Sequence, residues 1–232
     1  MKRLGLIGGT SWHSTIEYYR AINELVNEHF GDNTNPPLVL CNLNQAEVHQ
    51  YQSQGQWDKI AQIFIEASQR LVAAGVDGIL FCANTPHRVY PDVDSVVSVP
   101  IIHIADATAN AIKLQNIESV AFIGTRYSME QEFVTGRIRD HGIRVFVPET
   151  DEELQELHRT IHEELSFGRI EAISKQYVLN SLAAMVDQGA QGVVLGCTEF
   201  PLMFPDRVLD LPTFNTTSIH AEAAVRFILD DH

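Results

Sequence analysis

The chain repeats itself in order, and this repeat limits the folds open to it more than any single motif. RLGLIGGTS at 3–11 aligns with SVAFIGTRYS at 119–128, and ASQRLVAAGVDGILFCANTP at 67–86 aligns with SLAAMVDQGAQGVVLGCTEFP at 181–201. VPIIHIADATANA at 99–111 aligns with LPTFNTTSIHAEAA at 211–224. The offsets are 116 (3 to 119), 114 (Gly75 to Gly189) and 112 (99 to 211) in a chain of 232 residues. A repeat near half the chain length specifies two similar lobes. Short apolar runs alternate with helical patterns throughout, the rhythm of a parallel sheet. Strands are expected over 3–8, 37–41, 78–82, 99–104, 119–124, 143–147, 192–196 and 212–215. The expected fold is therefore α/β: two pseudo-symmetric lobes, each a parallel sheet flanked by helices. The repeat assigns 1–98 with a returning segment 209–232 to the first lobe, and 99–208 to the second.

One helix start is well marked. Thr150 and Glu153 have the spacing of a capping box, and Leu154, Leu157, Ile161 and Leu165 then fall on one face. The acidic residues of that helix read as a solvated surface. Over the whole chain 30 acidic residues outnumber 16 basic ones, a net charge of −14. Such a surface repels polyanions, so nucleic acid and acidic membranes are not expected partners. The N-terminus runs straight into glycines without a signal-like apolar core, and no apolar run approaches 18 residues. The reading is a cytoplasmic protein whose three cysteines, Cys41, Cys82 and Cys197, are free thiols.

Two of those cysteines close apolar runs, in GILFCANTPH (78–87) and GVVLGCTEFP (192–201). With Gly78 set on Gly192, Phe81 matches Leu195 and Ala83, not Cys82, matches Cys197. Strand side chains alternate sides, so a slip of one residue turns Cys82 away from whatever Cys197 faces. Cys82 and Cys41 then read as buried, inert thiols. Cys197 stands at a strand's carboxyl end, where open α/β sheets bind ligands, and helix-start amides there would lower its pKa. Thr198 and Glu199 add polar groups beside it.

The segments C-A-N-T-P-H (82–87) and V-V-L-G-C-T-E-F-P (193–201), with G-L-I-G-G-T-S (5–11) and I-G-T (123–125), resemble the aspartate/glutamate racemase superfamily. The likeness covers essentially the whole chain. It implies a PLP-independent isomerase with no cofactor and no metal, active as a homodimer, which holds a small amino acid in a cleft between its lobes. One cysteine from each lobe would act on Cα from opposite faces, making Cys197 and Cys82 the candidate acid/base residues. Inversion needs one group to remove a proton and another to deliver one from the far side. The carbanion must then be stabilised by donors around the carboxylate. Asn84, Thr85, Thr125 and Thr198 are the matching positions, with Thr10, Ser11 and Glu199 beside them. Gln52, in Y-Q-S-Q-G-Q-W, matches a substrate-contacting position of similar members, and Arg169 is a further candidate partner for a carboxylate.

The chain departs from the family pattern at Ala83, where two-cysteine members have cysteine and some relatives threonine, and to a smaller degree at Pro86. Alanine transfers no proton. Either Cys82 reaches the cleft through a twist at the strand end, or water or another side chain serves, or Cys197 works alone. Three functions stay open: a racemase or epimerase of aspartate or glutamate, a one-cysteine decarboxylase of the same superfamily, and a non-catalytic amino-acid-binding relative.

Other motifs point nowhere further. Gly5, Gly8 and Gly9 do not have dinucleotide-binding spacing, and no G-x-S-x-G elbow is present. His158 and His162 have an i,i+4 zinc-ligand spacing but no third ligand, and read as surface histidines. His87 and His103, near strand ends, read as hydrogen-bonded structural residues.

Overall fold

The computed structural model describes residues 1–205 and 207–230, and the chain divides after His103 and again before His220. The first unit comprises Met1–His103 with the chain from His220 onward, and the second is Ile104–Ile219. Among the described residues no helix is long and apolar enough to cross a membrane.

The first unit is built on a four-stranded parallel sheet in the order β2-β1-β3-β4, from β1 (Leu4–Gly8), β2 (Leu38–Asn42), β3 (Gly78–Phe81) and β4 (Ile101–Ile102). Its connections are α1 (Trp12–Phe30), α2 (Gln45–Ser53), α3 (Trp57–Ala73), a 3₁₀ turn over Thr85–Val89 and the short α4 (Tyr90–Asp94). Alternation divides the core. Ile7, Ile79 and Phe81 pack with Phe64 and Leu71 of α3 on one face, while Leu4, Leu6, Leu80 and Cys82 pack with Tyr18, Ile22 and Val26 of α1 on the other.

The second unit repeats the plan. Its sheet runs β6-β5-β7-β8, from β5 (Ser119–Gly124), β6 (Arg144–Phe146), β7 (Val193–Gly196) and β8 (Thr213–Asn215). The helices are α5 (Ile104–Leu114), α6 (Arg126–Glu130), α7 (Thr135–Asp140), α8 (Asp151–Arg159), α9 (Ala172–Asp187) and α10 (Phe200–Met203). The capping box at Thr150 and Glu153 forms, and a π-helical turn over Thr160–Glu164 carries α8 on towards Leu165. Leu154, Leu157, Ile161 and Leu165 are all buried, as their spacing required.

The two ladders share one register. Ile7 pairs with Phe81 in the first sheet, and their repeat equivalents Ile123 and Leu195 pair in the second. Ile79 pairs with Ile101 just as Val193 pairs with Thr213. The edge strands lie on the other side of the boundaries expected from the repeat. β4 hydrogen-bonds to β3 and stays in the first unit, while β8 hydrogen-bonds to β7 and stays in the second. The returning segment is thus confined to the last helix, α11 (Thr216–Leu229), in which Ala221, Ala224, Val225 and Ile228 complete the apolar cluster around α1.

Two glycines are required by this geometry. Gly9 turns the chain after β1 at φ +86°, and a Cβ there would stand 2.2 Å from the Leu43 carbonyl oxygen. Gly196 ends β7 flat against the Phe122 ring, where a Cβ would come within 2.2 Å of Cζ.

Candidate active site

In each sheet the candidate residues gather where the strands end. β5 and β7 stop side by side at the paired Gly124 and Gly196, so Thr125 and Cys197 are the next residue on each strand. Thr125 caps α6, its hydroxyl accepting from the Ser128 amide. Cys197 is 8% exposed. Its thiol donates to Glu199 Oε2 at 2.7 Å, and the same oxygen accepts from Thr198 Oγ1 at 2.9 Å. The three consecutive residues C-T-E thus form one hydrogen-bonded group.

The electrostatics there reverse the sequence expectation. Burial first, and then the charge of Glu199 and its hydrogen bond, push the Cys197 thiol well above its ordinary value. The Glu199 and Thr198 amides do pull it down, as a helix start should, but they are outweighed. Cys197 therefore rests as a thiol with an acceptor already in contact with its proton.

The first unit presents a different edge. Cys82 is 1% exposed in the apolar cluster with Leu4, Leu6 and Leu80, and burial drives its pKa strongly upward. Its amide donates to the Ile7 carbonyl at 2.9 Å and its carbonyl accepts from Ser14 Oγ at 2.5 Å, so the strand-end twist that would free its side chain does not occur. The alternation that packs Leu80 against α1 packs Cys82 there too, on the side its one-residue offset from Cys197 leads one to expect. Cys41 is half-buried. Ala83, half-buried, holds the position equivalent to Cys197.

Asn84 is 5% exposed and Thr85 half-buried at the head of the 3₁₀ turn. Thr10 is 8% exposed, and Ser11 caps α1. The Thr10 carbonyl accepts from His49 Nε2 at 3.0 Å, and Gln52, half-buried, lies one turn further along α2 on the same face as His49. His49 escaped the sequence reading; its i,i+3 relation to Gln52 was the available signal.

Other candidates stand apart. Arg169 is exposed and its guanidinium donates to the Glu163 carbonyl, beside the Phe167 ring. His162 is exposed, but His158 is half-buried and accepts the Arg126 amide at 3.4 Å, which ties α8 to the start of α6. Burial, His162 and Arg126 bring the His158 pKa down to about 4. Among the described residues no group of three or more His, Cys, Asp or Glu is placed to hold a metal ion.

The Asp/Glu/hydantoin racemase family profile matches residues 7–224. A candidate Asp/Glu racemase from Yersinia pestis of solved structure is 41% identical, with 99% of this chain and 100% of that one covered and a TM-score of 0.93. An aspartate racemase homologue from Pyrococcus horikoshii OT3 is 34% identical, with 99% and 100% covered and a TM-score of 0.86. The broad-specificity amino-acid racemase RacX of Bacillus subtilis (strain 168) is 21% identical over 175 residues, 72% of either chain.

Proposed function

Because the chain belongs to the Asp/Glu/hydantoin racemase family, we propose that it is a cofactor-independent racemase or epimerase of a small acidic amino acid, aspartate or glutamate, and that Cys197 moves the proton at Cα. One observation carries this reading: the Cys197 thiol lies 2.7 Å from Glu199 Oε2. Transfer of the thiol proton to that carboxylate leaves a thiolate, which takes the proton from Cα. Taking that proton restores the thiol while Glu199 holds the first one. In simple exchange the thiol gives a proton back to Cα and Glu199 then reprotonates the sulfur. In inversion Cα is protonated from the opposite face and Glu199 releases its proton to solvent. Thr198, Thr125, Asn84 and Thr85 are the donors proposed for the substrate carboxylate and for the charge that develops on it. The same reading takes the active species to be a cytoplasmic homodimer.

A second reading draws on Ala83 and on the burial of Cys82. A strand end with no proton to give suits a one-cysteine decarboxylase, in which Cys197 protonates the carbanion left by CO₂ and no opposing base is needed. If the chain is instead a racemase, water or another side chain must serve the second face.

Proton NMR of L-aspartate and L-glutamate in D₂O, followed by resolution of the enantiomers, tests the proposal. Loss of the Cα–H signal with D-product formed supports racemisation. Loss without inversion assigns Cys197 to one face alone. No exchange with either acid, together with CO₂ release from substituted malonates, overturns the racemase in favour of the lyase.

A further inference from the structure

His87 makes contacts that the chemistry above does not use. It is 1% exposed in the 3₁₀ turn that follows β3. Its Nδ1 lies 3.0 Å from the Ala83 carbonyl oxygen and 3.1 Å from that of Asn84. Carbonyl oxygens only accept, so Nδ1 carries the hydrogen and shares it between them. The backbone amide of His87 also donates to the Asn84 carbonyl at 3.0 Å. One residue thus binds the backbone of the two residues that open the candidate loop.

The imidazole is itself fixed on several sides. Its ring centroid lies 4.5 Å from that of His103, 5.3 Å from Phe81 and 5.6 Å from His220. His103 stacks edge-on against Tyr90 at 4.6 Å. His220 donates from Nε2 to the Ile102 carbonyl at 2.8 Å and accepts the Tyr18 hydroxyl at Nδ1, 2.9 Å away. His103 and His220 are 4% and 0% exposed. A network of buried rings anchored to β4, α1 and α11 therefore stands behind a single N–H. A ring that only filled space there would need no nitrogen.

We propose that His87 is a positioning residue: its Nδ1–H clamps the Ala83 and Asn84 carbonyls and so sets the pose of the Asn84 and Thr85 side chains toward a substrate carboxylate. The clamp is a property of the loop; its use on a substrate rests on the racemase reading above. Asparagine tests it closely, because its side-chain amide can place an N–H where Nδ1 stands, whereas leucine fills similar space without a donor.

The experiment compares His87→Asn and His87→Leu in the full chain by two measurements. The first is amide hydrogen exchange over residues 83–90 in the protein alone, where His87→Leu is expected to exchange about tenfold faster and His87→Asn to stay near wild type. The second is Cα exchange of L-aspartate, where His87→Leu is expected to raise KM and lower kcat, each by about tenfold, with His87→Asn recovering most of both. If His87→Leu does not fold, His87→Gln, whose donor lies one methylene further out, should show the same two changes. Unchanged exchange in His87→Leu, or equal effects in the leucine and asparagine variants, overturns the clamp. Faster amide exchange with unaltered kinetics overturns its role in positioning. If the wild type turns over neither acid, the racemase reading fails while the hydrogen-exchange result still supports or overturns the clamp.

Discussion

Glu199 Oε2 accepts the Cys197 thiol at 2.7 Å and, from the adjacent residue, the Thr198 hydroxyl at 2.9 Å. The carboxylate thus has two opposed effects on the sulfur. As a neighbouring charge it holds the proton on the thiol, and as an acceptor in contact it is the place for that proton to go.

Glu199→Gln separates these effects. Removing the negative charge lets the Cys197 pKa fall towards its ordinary value, so alkylation by iodoacetamide at pH 8 should be several-fold faster than in wild type. Cα exchange should fall by about 10²-fold or more, since the proton acceptor has gone. Slower alkylation, or exchange that is unaffected, would contradict the assignment. Cys197→Ala should abolish exchange altogether.

Cys82→Ala should leave turnover within about twofold of wild type, because the thiol belongs to the packing of α1 on the sheet. Cys82→Ser should instead lower stability by about 1–3 kcal/mol, as a hydroxyl enters an apolar cluster. Urea midpoints with activity measured on the same samples check both. A Cys82→Ala variant that folds fully but has lost turnover would return the residue to the chemistry.

Ala83→Cys places a thiol at the repeat equivalent of Cys197. In D₂O, the ratio of inverted to merely exchanged aspartate should rise by about tenfold or more, as a proton carrier is added for the second face. An unchanged ratio would show that another group already serves that face.

His220 predicts acid sensitivity. Burial, and next the neighbouring His87, bring its pKa to about 3, well below its unfolded value, so the unfolded chain binds the additional proton between the two. Stability is fully present above about pH 6.5 and is lost as the pH falls, by about 4 kcal/mol near pH 3 from this group alone. His220→Gln, which can still donate to the Ile102 carbonyl, should flatten the urea midpoint over that range. An equally steep profile in the variant would assign the acid sensitivity to other groups.

Much of this was legible in the sequence. The offset of Gly78 to Gly192 fixed the equivalence of Ala83 with Cys197, and the pairing of Ile7 with Phe81 and of Ile123 with Leu195 follows it. The edge strands were harder. β4 and β8 have two and three residues, too few for a periodic pattern, and the repeat says which segments are equivalent without saying which neighbour each pairs with. The state of the Cys197 thiol is not legible in sequence, because its position on the chain shows the helix-start amides but neither the burial that chiefly raises its pKa nor the rotamer that brings Glu199 against the sulfur. His87 reads correctly as a hydrogen-bonded structural histidine, but its partners, like that of His49, are backbone carbonyls, which leave no trace in side-chain spacing.

The division of the last helix between the units bears on how the chain folds as it is synthesised. All of the second unit, Ile104–Ile219, has been made before the first unit has its whole complement of residues. Ala221, Ala224, Val225 and Ile228, which cover the apolar side of α1 and β1, follow the second unit in the chain. On a ribosome moving from the N-terminus, the usual order of completion is therefore reversed. The earlier-made sheet waits, with Leu4, Leu6 and Cys82 covered by α1 but not yet by α11, until the residues after Ile219 have been made.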